Sequence, residues 1–194
     1  MTSREMVAEF MRHIGHDTPE LRLDCKPAIA GLRASLILEE YLETHRAMLA
    51  RDIVGTCDGF ADLKYTVIGA AVAHGLPIRD FFYTPFPLEP AASPESAGSF
   101  VRATASWLST AMQALAGYGD LASALHGLDV ALSMEAAAAG LPLRELFAEV
   151  HKSNMSKESG ASIGVAKYGP GGGKGREYNP PDIVGVLEAA SRKT

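Results

Sequence analysis

The sequence predicts an all-α domain, and three observations carry that prediction. Apolar residues recur three and four positions apart through most of the chain. No stretch alternates apolar and polar residues as a half-buried strand does. Glycine and proline fall between the periodic segments, where helices would stop and start. With 194 residues, 47% of them apolar and 21% charged, the chain can bury one sizeable core.

The elements follow in order. Thr2 or Ser3 can cap a first helix, with Glu5 and Glu9 near its positive end. Met6, Phe10, Met11 and Ile14 mark its apolar side, and Gly15 is placed to stop it. Residues 17–27 read as a loop. Pro27–Leu49 reads as a long helix with Ile29, Leu32, Leu36 and Ile37 facing the core. Asp52 is a suitable cap for a helix over Ile53–Ala73, ended by Gly75 and Pro77. Leu63, Val67, Ala70 and Ala71 give that helix a packing face, and Gly69 would let another helix approach. A short helical piece is expected over Ile78–Phe82. Thr84–Ser99 holds four prolines and reads as a loop. Ser99 would cap a further helix carrying Val101, Ala105, Leu108, Met112 and Leu115. Asp120 would cap the next, with Leu121, Leu125, Leu128 and Leu132 in register. Leu143–Lys152 reads as a short helix. Residues 159–181, rich in glycine and proline, read as a loop or flap. Asp182 would cap a last helix, Ile183–Ser191. The reading is one domain over 1–194, with a loop and helix pair at about 84–140 set into it.

Composition narrows the function. The net charge of -5 and pI near 5.7 give no basic face for duplex nucleic acid. No apolar run reaches spanning length, so no membrane partner is expected. The charged N-terminus does not resemble a signal peptide. Cys25 and Cys57 form no paired motif and read as thiols of a reducing compartment. A cytoplasmic location, the host's if the chain is phage-encoded, is the expectation.

The chemistry concentrates in Leu36–Asp62. Glu39 stacks with Glu43 on one helix face, Glu40 flanks Glu43, and Asp58 stacks with Asp62 on the next helix. If the two helices fold back on each other, four or five carboxylates converge. Two such charges about 4 Å apart repel by about 1 kcal/mol in water and by more where water is excluded. Such a group protonates or takes up a cation. Oxygen-only ligands suit Mg²⁺, with Mn²⁺ able to substitute, usually beside a phosphate-bearing ligand. A solvated acidic helix face would use the same residues.

Two later stretches carry basic and polar groups. In FAEVHKSNMSK, residues 147–157, the side chains of Lys152, Asn154 and Lys157 could hold phosphate oxygens, or the lysines could complement a helix dipole. In KYGPGGGKGREYNPPDI, residues 167–183, the glycines do not have Walker A spacing. A basic flap carrying Lys174 and Arg176 could close over a triphosphate, with Tyr178 against a base or the body. A plain tail is the alternative. His13 and His16 read as surface groups or supports of ligands. No Glu-x-x-His pattern supports a di-iron bundle.

HGLPIRDFF at 74–82 echoes AGLPLRELF at 139–147. Shared helix punctuation explains this; so does duplication, in which case Ser123 and Gly127 stand where the first copy has Asp58 and Asp62.

These segments together resemble the MazG-like all-α nucleoside triphosphate pyrophosphohydrolases. The resemblance rests on MVAEFMRHIG (6–15), LILEEYLE (36–43), CDGFADLKYTVIGAA (57–71), FAEVHKSNMSK and GKGREYNPPDI, and it covers most of 6–82 and 143–188. It implies a helical bundle, hydrolysis of a nucleoside triphosphate to monophosphate and pyrophosphate, and a homo-oligomer, dimer or tetramer. Carried onto this chain, it makes Glu39, Glu40, Glu43, Asp58 and Asp62 the Mg²⁺ ligands. Glu39 or Glu40 becomes the base toward water, and Lys152, Asn154, Lys157, Lys174 and Arg176 the phosphate holders. Phe10, His13 and Tyr178 are the candidates to meet the base. Two departures stand out. Gly59 occupies the place of the acid three before Asp62, so Asp58 would take over. Relatives also run from the second acidic helix almost directly into FAEVH, whereas here a proline loop and two helices intervene.

The ends of the chain are similar to those of dGTP-acting proteins of diaminopurine-DNA phages, which makes dGTP or GTP the leading substrate. dUTP or a house-cleaning role follows. Phosphoribosyl-ATP hydrolysis and a non-enzymatic nucleotide-binding bundle are the alternative functions.

Overall fold

The computed structural model describes residues 1–20, 27–86, 91–159, 172–173 and 176–192. Cys25 and Lys174 lie outside them. The described residues form seven helices: α1 (Ser3–His13), α2 (Pro27–Leu49), α3 (Ile53–Ala73), α4 (Pro94–Leu115), α5 (Leu121–Ala138), α6 (Leu143–Met155) and α7 (Ile183–Ser191). There is also a two-residue antiparallel ladder that joins the edge of the expected loop 159–181 to its interior, Glu158–Ser159 against Gly172–Gly173. No described helix is long and apolar enough to cross a membrane.

α3 is the axis of the molecule. It is apolar nearly all round and buried along almost its whole length, as a helix with neighbours on every side must be. α1, α2, α5, α6 and α7 all pack on it, and α2 also packs on α4. α2 and α3 form a hairpin, as do α4 and α5.

Local chemistry explains the boundaries. Thr2 caps α1 in a reciprocal box with Glu5 (3.2 and 2.7 Å), which meets two otherwise unsatisfied N–H groups. Asp52 accepts from Gly55 N at the start of α3. Asp120 and Asp182 cap α5 and α7 in the same way. Gly75 and Gly140 follow α3 and α5 with φ of +64° and +73°, a conformation that glycine adopts without penalty.

Four expectations are corrected. The buried stripe of α1 is Val7, Ala8 and Met11, continued by Ile14; Met6 and Phe10 are only half-buried. α4 begins at Pro94 under a Ser93 cap, not at Ser99, because proline is well suited to the first helical position. Residues 78–82 are not helical. Their polar groups serve other elements instead: Phe81 O accepts from Lys64 Nζ and Ser133 Oγ, both at 2.9 Å, and Asp80 accepts from Ser3 N at 3.0 Å. Finally, the glycine that sets the helix spacing is Gly59. A Cβ there would lie 2.9 Å from the Thr44 Cα, whereas one at Gly69 would make only ordinary contacts.

Candidate active site

Contacts along the α2–α3 hairpin fix the register of the acids. Gly55 lies against Ala47, Gly59 against Thr44, and Gly69 against Arg33. Each turn toward the start of α2 is matched by a turn toward the end of α3. Glu40 therefore stands opposite Asp62 and its neighbour Leu63, with Glu43 and Asp58 nearer the connecting turn.

Glu40 and Asp62 line one cleft of about 70 Å³. Arg33 and Leu36 join Glu40 from α2, and Tyr65 and Thr66 join Asp62 from α3. α1 supplies Phe10 and Met11, the following loop His16, and the end of α6 Asn154 and Lys157. Glu40 is only 5% exposed. Glu39 and Asp58 are half-buried and Glu43 is exposed; none of the three lines the cleft. Among the described residues no group of three or more His, Cys, Asp or Glu side chains is gathered tightly enough to hold a metal ion. Two carboxylates in one cleft nevertheless fit Mg²⁺. That ion is commonly held by one or two carboxylates, with water and substrate phosphates completing its shell.

Cations share the cleft with the acids. Lys157 Nζ donates to Asn154 Oδ1 at 2.6 Å, and Asn154 is buried. The same ammonium lies 5.7 Å from the centre of the Phe10 ring, within reach of its π face. The position of Lys157 is set from behind. His13 Nε2 lies 2.7 Å from Lys157 O, and because a carbonyl only accepts, this nitrogen carries the proton. Arg33, buried on α2, donates from Nη2 to His16 Nδ1 at 3.3 Å. Burial first, and then the Arg33 charge, lowers the His16 pKa.

A polar relay backs the cleft. Tyr65 OH lies 3.0 Å from His151 Nδ1, and His151 Nε2 lies 3.3 Å from Glu9 Oε2. A proton on Nε2 faces the carboxylate, so Nδ1 accepts from the tyrosine. Burial raises the Tyr65 pKa, which keeps that hydroxyl a donor.

Of the residues singled out from sequence, Phe10, Glu40, Asp62, Asn154 and Lys157 come together. Others do not join them. Lys152 is at the surface, paired with Glu149 at 3.1 Å. Arg176 is exposed and Tyr178 half-buried away from the cleft lining. His13 supports Lys157 from outside it. The clustered Ser153 and Ser156 hold the chain instead: Ser153 Oγ donates to Asn179 O, and Asn179 N donates to Ser156 Oγ, both at 2.8 Å. Sequence reasoning missed Arg33, His16, Tyr65 and Thr66 as cleft residues. The signal for Arg33 was a charge on the same helical stripe as Leu36 and Glu40.

No curated protein and no solved structure matches the chain. The family model for phosphoribosyl-ATP pyrophosphohydrolase matches residues 7–84, which take in α1 from Val7 onward, the acid hairpin α2–α3 and the extended segment after it. Over residues 7–84, about two fifths of the chain, the protein is thus similar to the phosphoribosyl-ATP pyrophosphohydrolases, a family of the MazG-like superfamily of all-α pyrophosphohydrolases, and this similarity supports pyrophosphohydrolase activity on a nucleotide.

Proposed function

We propose that the substrate is a nucleoside triphosphate, with dGTP or GTP first, hydrolysed to the monophosphate and pyrophosphate with Mg²⁺. The observation that carries this reading is the shared cleft: Glu40 and Asp62 meet Lys157 and Asn154 there. Carboxylates alone would repel a triphosphate; carboxylates with a fixed ammonium and an amide donor suit one.

Glu40 and Asp62 would hold the cation, with Glu39, Glu43 and Asp58 close in sequence to add ligands. When bound, Mg²⁺ offsets the triphosphate charge and polarises the phosphate. Glu40, buried at the cleft, takes the proton of the attacking water. The water oxygen bonds to the α-phosphorus, the bond from that phosphorus to the bridging oxygen breaks, and pyrophosphate leaves. Lys157, held by Asn154, receives the charge that builds on the leaving group. Arg33, with His16 beside it, offers buried donors suited to the O6 and N7 acceptors of guanine, and Phe10 offers a ring for the base.

Phosphoribosyl-ATP is the second reading, and the family match favours it. The bond broken and the pyrophosphate released are the same; the substrate differs by a phosphoribosyl group on adenine. One experiment separates the two. The protein is incubated with Mg²⁺ and each common NTP, dNTP and phosphoribosyl-ATP, and the products are resolved by chromatography. GMP or dGMP with pyrophosphate is the expected outcome. Turnover of phosphoribosyl-ATP alone would replace the first reading with the second. Diphosphate with phosphate would overturn both.

A further inference from the structure

The echo between 74–82 and 139–147 has a structural counterpart. Aligning Gly75-Leu76-Pro77 with Gly140-Leu141-Pro142 pairs Lys64 with Asp129 and Phe82 with Phe147. Both pairs touch. Lys64 Nζ lies 2.5 Å from Asp129 Oδ1, and the Phe82 and Phe147 rings meet edge to face at 5.9 Å. Under a twofold relation a residue meets its own equivalent only on the axis. Shared helix punctuation gives no reason for two such meetings.

The other helices agree. Aligning Thr44 with Thr110 pairs Tyr41 with Trp107, Leu42 with Leu108 and Leu49 with Leu115. Both threonines donate to the carbonyl one turn earlier, Thr44 to Glu40 O at 2.7 Å and Thr110 to Ser106 O at 2.9 Å. α2 packs on α4 and α3 packs on α5, so each helix lies against its own equivalent. Tyr41 crosses this interface, stacking on Phe100 at 4.9 Å with its hydroxyl 3.1 Å from Thr104 Oγ1.

The second hairpin has lost its chemistry. Where the first has Glu39, Glu40, Glu43, Asp58 and Asp62, it has Ala105, Ser106, Ser109, Ser123 and Gly127. The gap left at Gly127 is filled, because any Cβ there would run into the Trp107 ring. Lys64 and Asp129 give the direction of divergence. In two identical chains an axial position meets itself, Lys against Lys or Asp against Asp. Only one chain carrying both copies can put a cation opposite an anion there.

We propose that α4–α5 is a silenced copy of the acid hairpin α2–α3, and that it takes the place a second chain would fill. The protein is then an internal pseudo-dimer with one nucleotide site per chain. The site count rests on the hydrolase reading above; the duplication does not.

The test is sedimentation of the full chain over about a hundredfold dilution, with helicity and turnover per chain followed together, since a bundle built from two chains depends on concentration. The expected result is a 20.5 kDa species at every concentration, with unchanged helicity and a constant rate per chain. A dimer or larger species, or helicity lost on dilution, would overturn the proposal. If no nucleotide is turned over, the hydrolase reading fails, and mass with helicity still decides whether one chain suffices.

Discussion

Lys64 Nζ and Asp129 Oδ1 meet at 2.5 Å between α3 and α5, and solvent reaches neither side chain. Lys64 also donates to Ser133 Oγ at 3.1 Å and to Phe81 O at 2.9 Å, and it lies 4.6 Å from the centre of the Phe82 ring. Every ammonium proton has an acceptor. Burial pushes the Asp129 carboxyl up, and the Lys64 charge pulls it back.

Breaking this pair from one side leaves a buried charge without its counterion. Lys64→Met or Asp129→Leu alone should lower unfolding free energy by about 3–5 kcal/mol, while the double replacement should be far milder, because an apolar pair carries no desolvation penalty. Urea unfolding of the three variants gives the comparison. A double loss equal to the sum of the two single losses would mean that the ion pair contributes nothing beyond packing.

The Gly59–Thr44 contact sets how near Glu40 comes to Asp62. A methyl at residue 59 meets the Thr44 Oγ1 at 2.6 Å and its Cα at 2.9 Å; a hydroxyl can turn aside, but the backbone atom cannot. Gly59→Ala should therefore destabilise by about 1–3 kcal/mol through overpacking. By spreading the hairpin it should also cut turnover in the variant that remains folded. Thermal unfolding and initial rates check both parts. A Gly59→Ala protein with full stability would show that α2 and α3 can part without loss.

Glu40→Gln and Asp62→Asn keep shape and remove charge. If Glu40 is the base, its loss should lower turnover by about 10²-fold or more, with the helical circular-dichroism signal unchanged. Asp62→Asn should weaken binding of Mn²⁺, used as the probe, in a titration without nucleotide. Full activity in both variants would remove the acid assignment.

Helix ends were legible where a side chain marks them. Asp52, Asp120 and Asp182 bond to the N–H groups their positions promised, and α2 and α3 run over the expected residues. The segment 78–82 misled because its local pattern is helical, while its structure is decided by Lys64 and Ser133 from other helices. Pro94 misled because proline breaks a helix interior and opens a helix start equally well. Within the site, the acid hairpin stood out as a cluster of charge. Arg33 did not, and His16 read only as a surface group or a support of ligands, since each is a single polar residue whose meaning comes from a wall built by α1, α2 and α3 together.

Stability should fall as the solution is acidified, and two histidines supply a defined part of that fall. Burial lowers the pKa of both His16 and His151; the Arg33 charge adds to the shift at His16, and Glu9 opposes it at His151. The unfolded chain, with imidazoles near 6.5, then binds protons that the folded chain refuses. Stability rises with pH wherever the unfolded state holds more protons. The contribution is complete above the unfolded value and is lost as pH drops below it toward the folded values. Urea midpoints at about pH 7.5 and about pH 5.5 should therefore differ, with the lower value at acid pH. His16→Gln and His151→Gln, each tested alone, should narrow that difference, because glutamine does not titrate. If neither narrows it, the acid sensitivity comes from carboxylates, and the buried imidazoles titrate alike in the folded and unfolded chain.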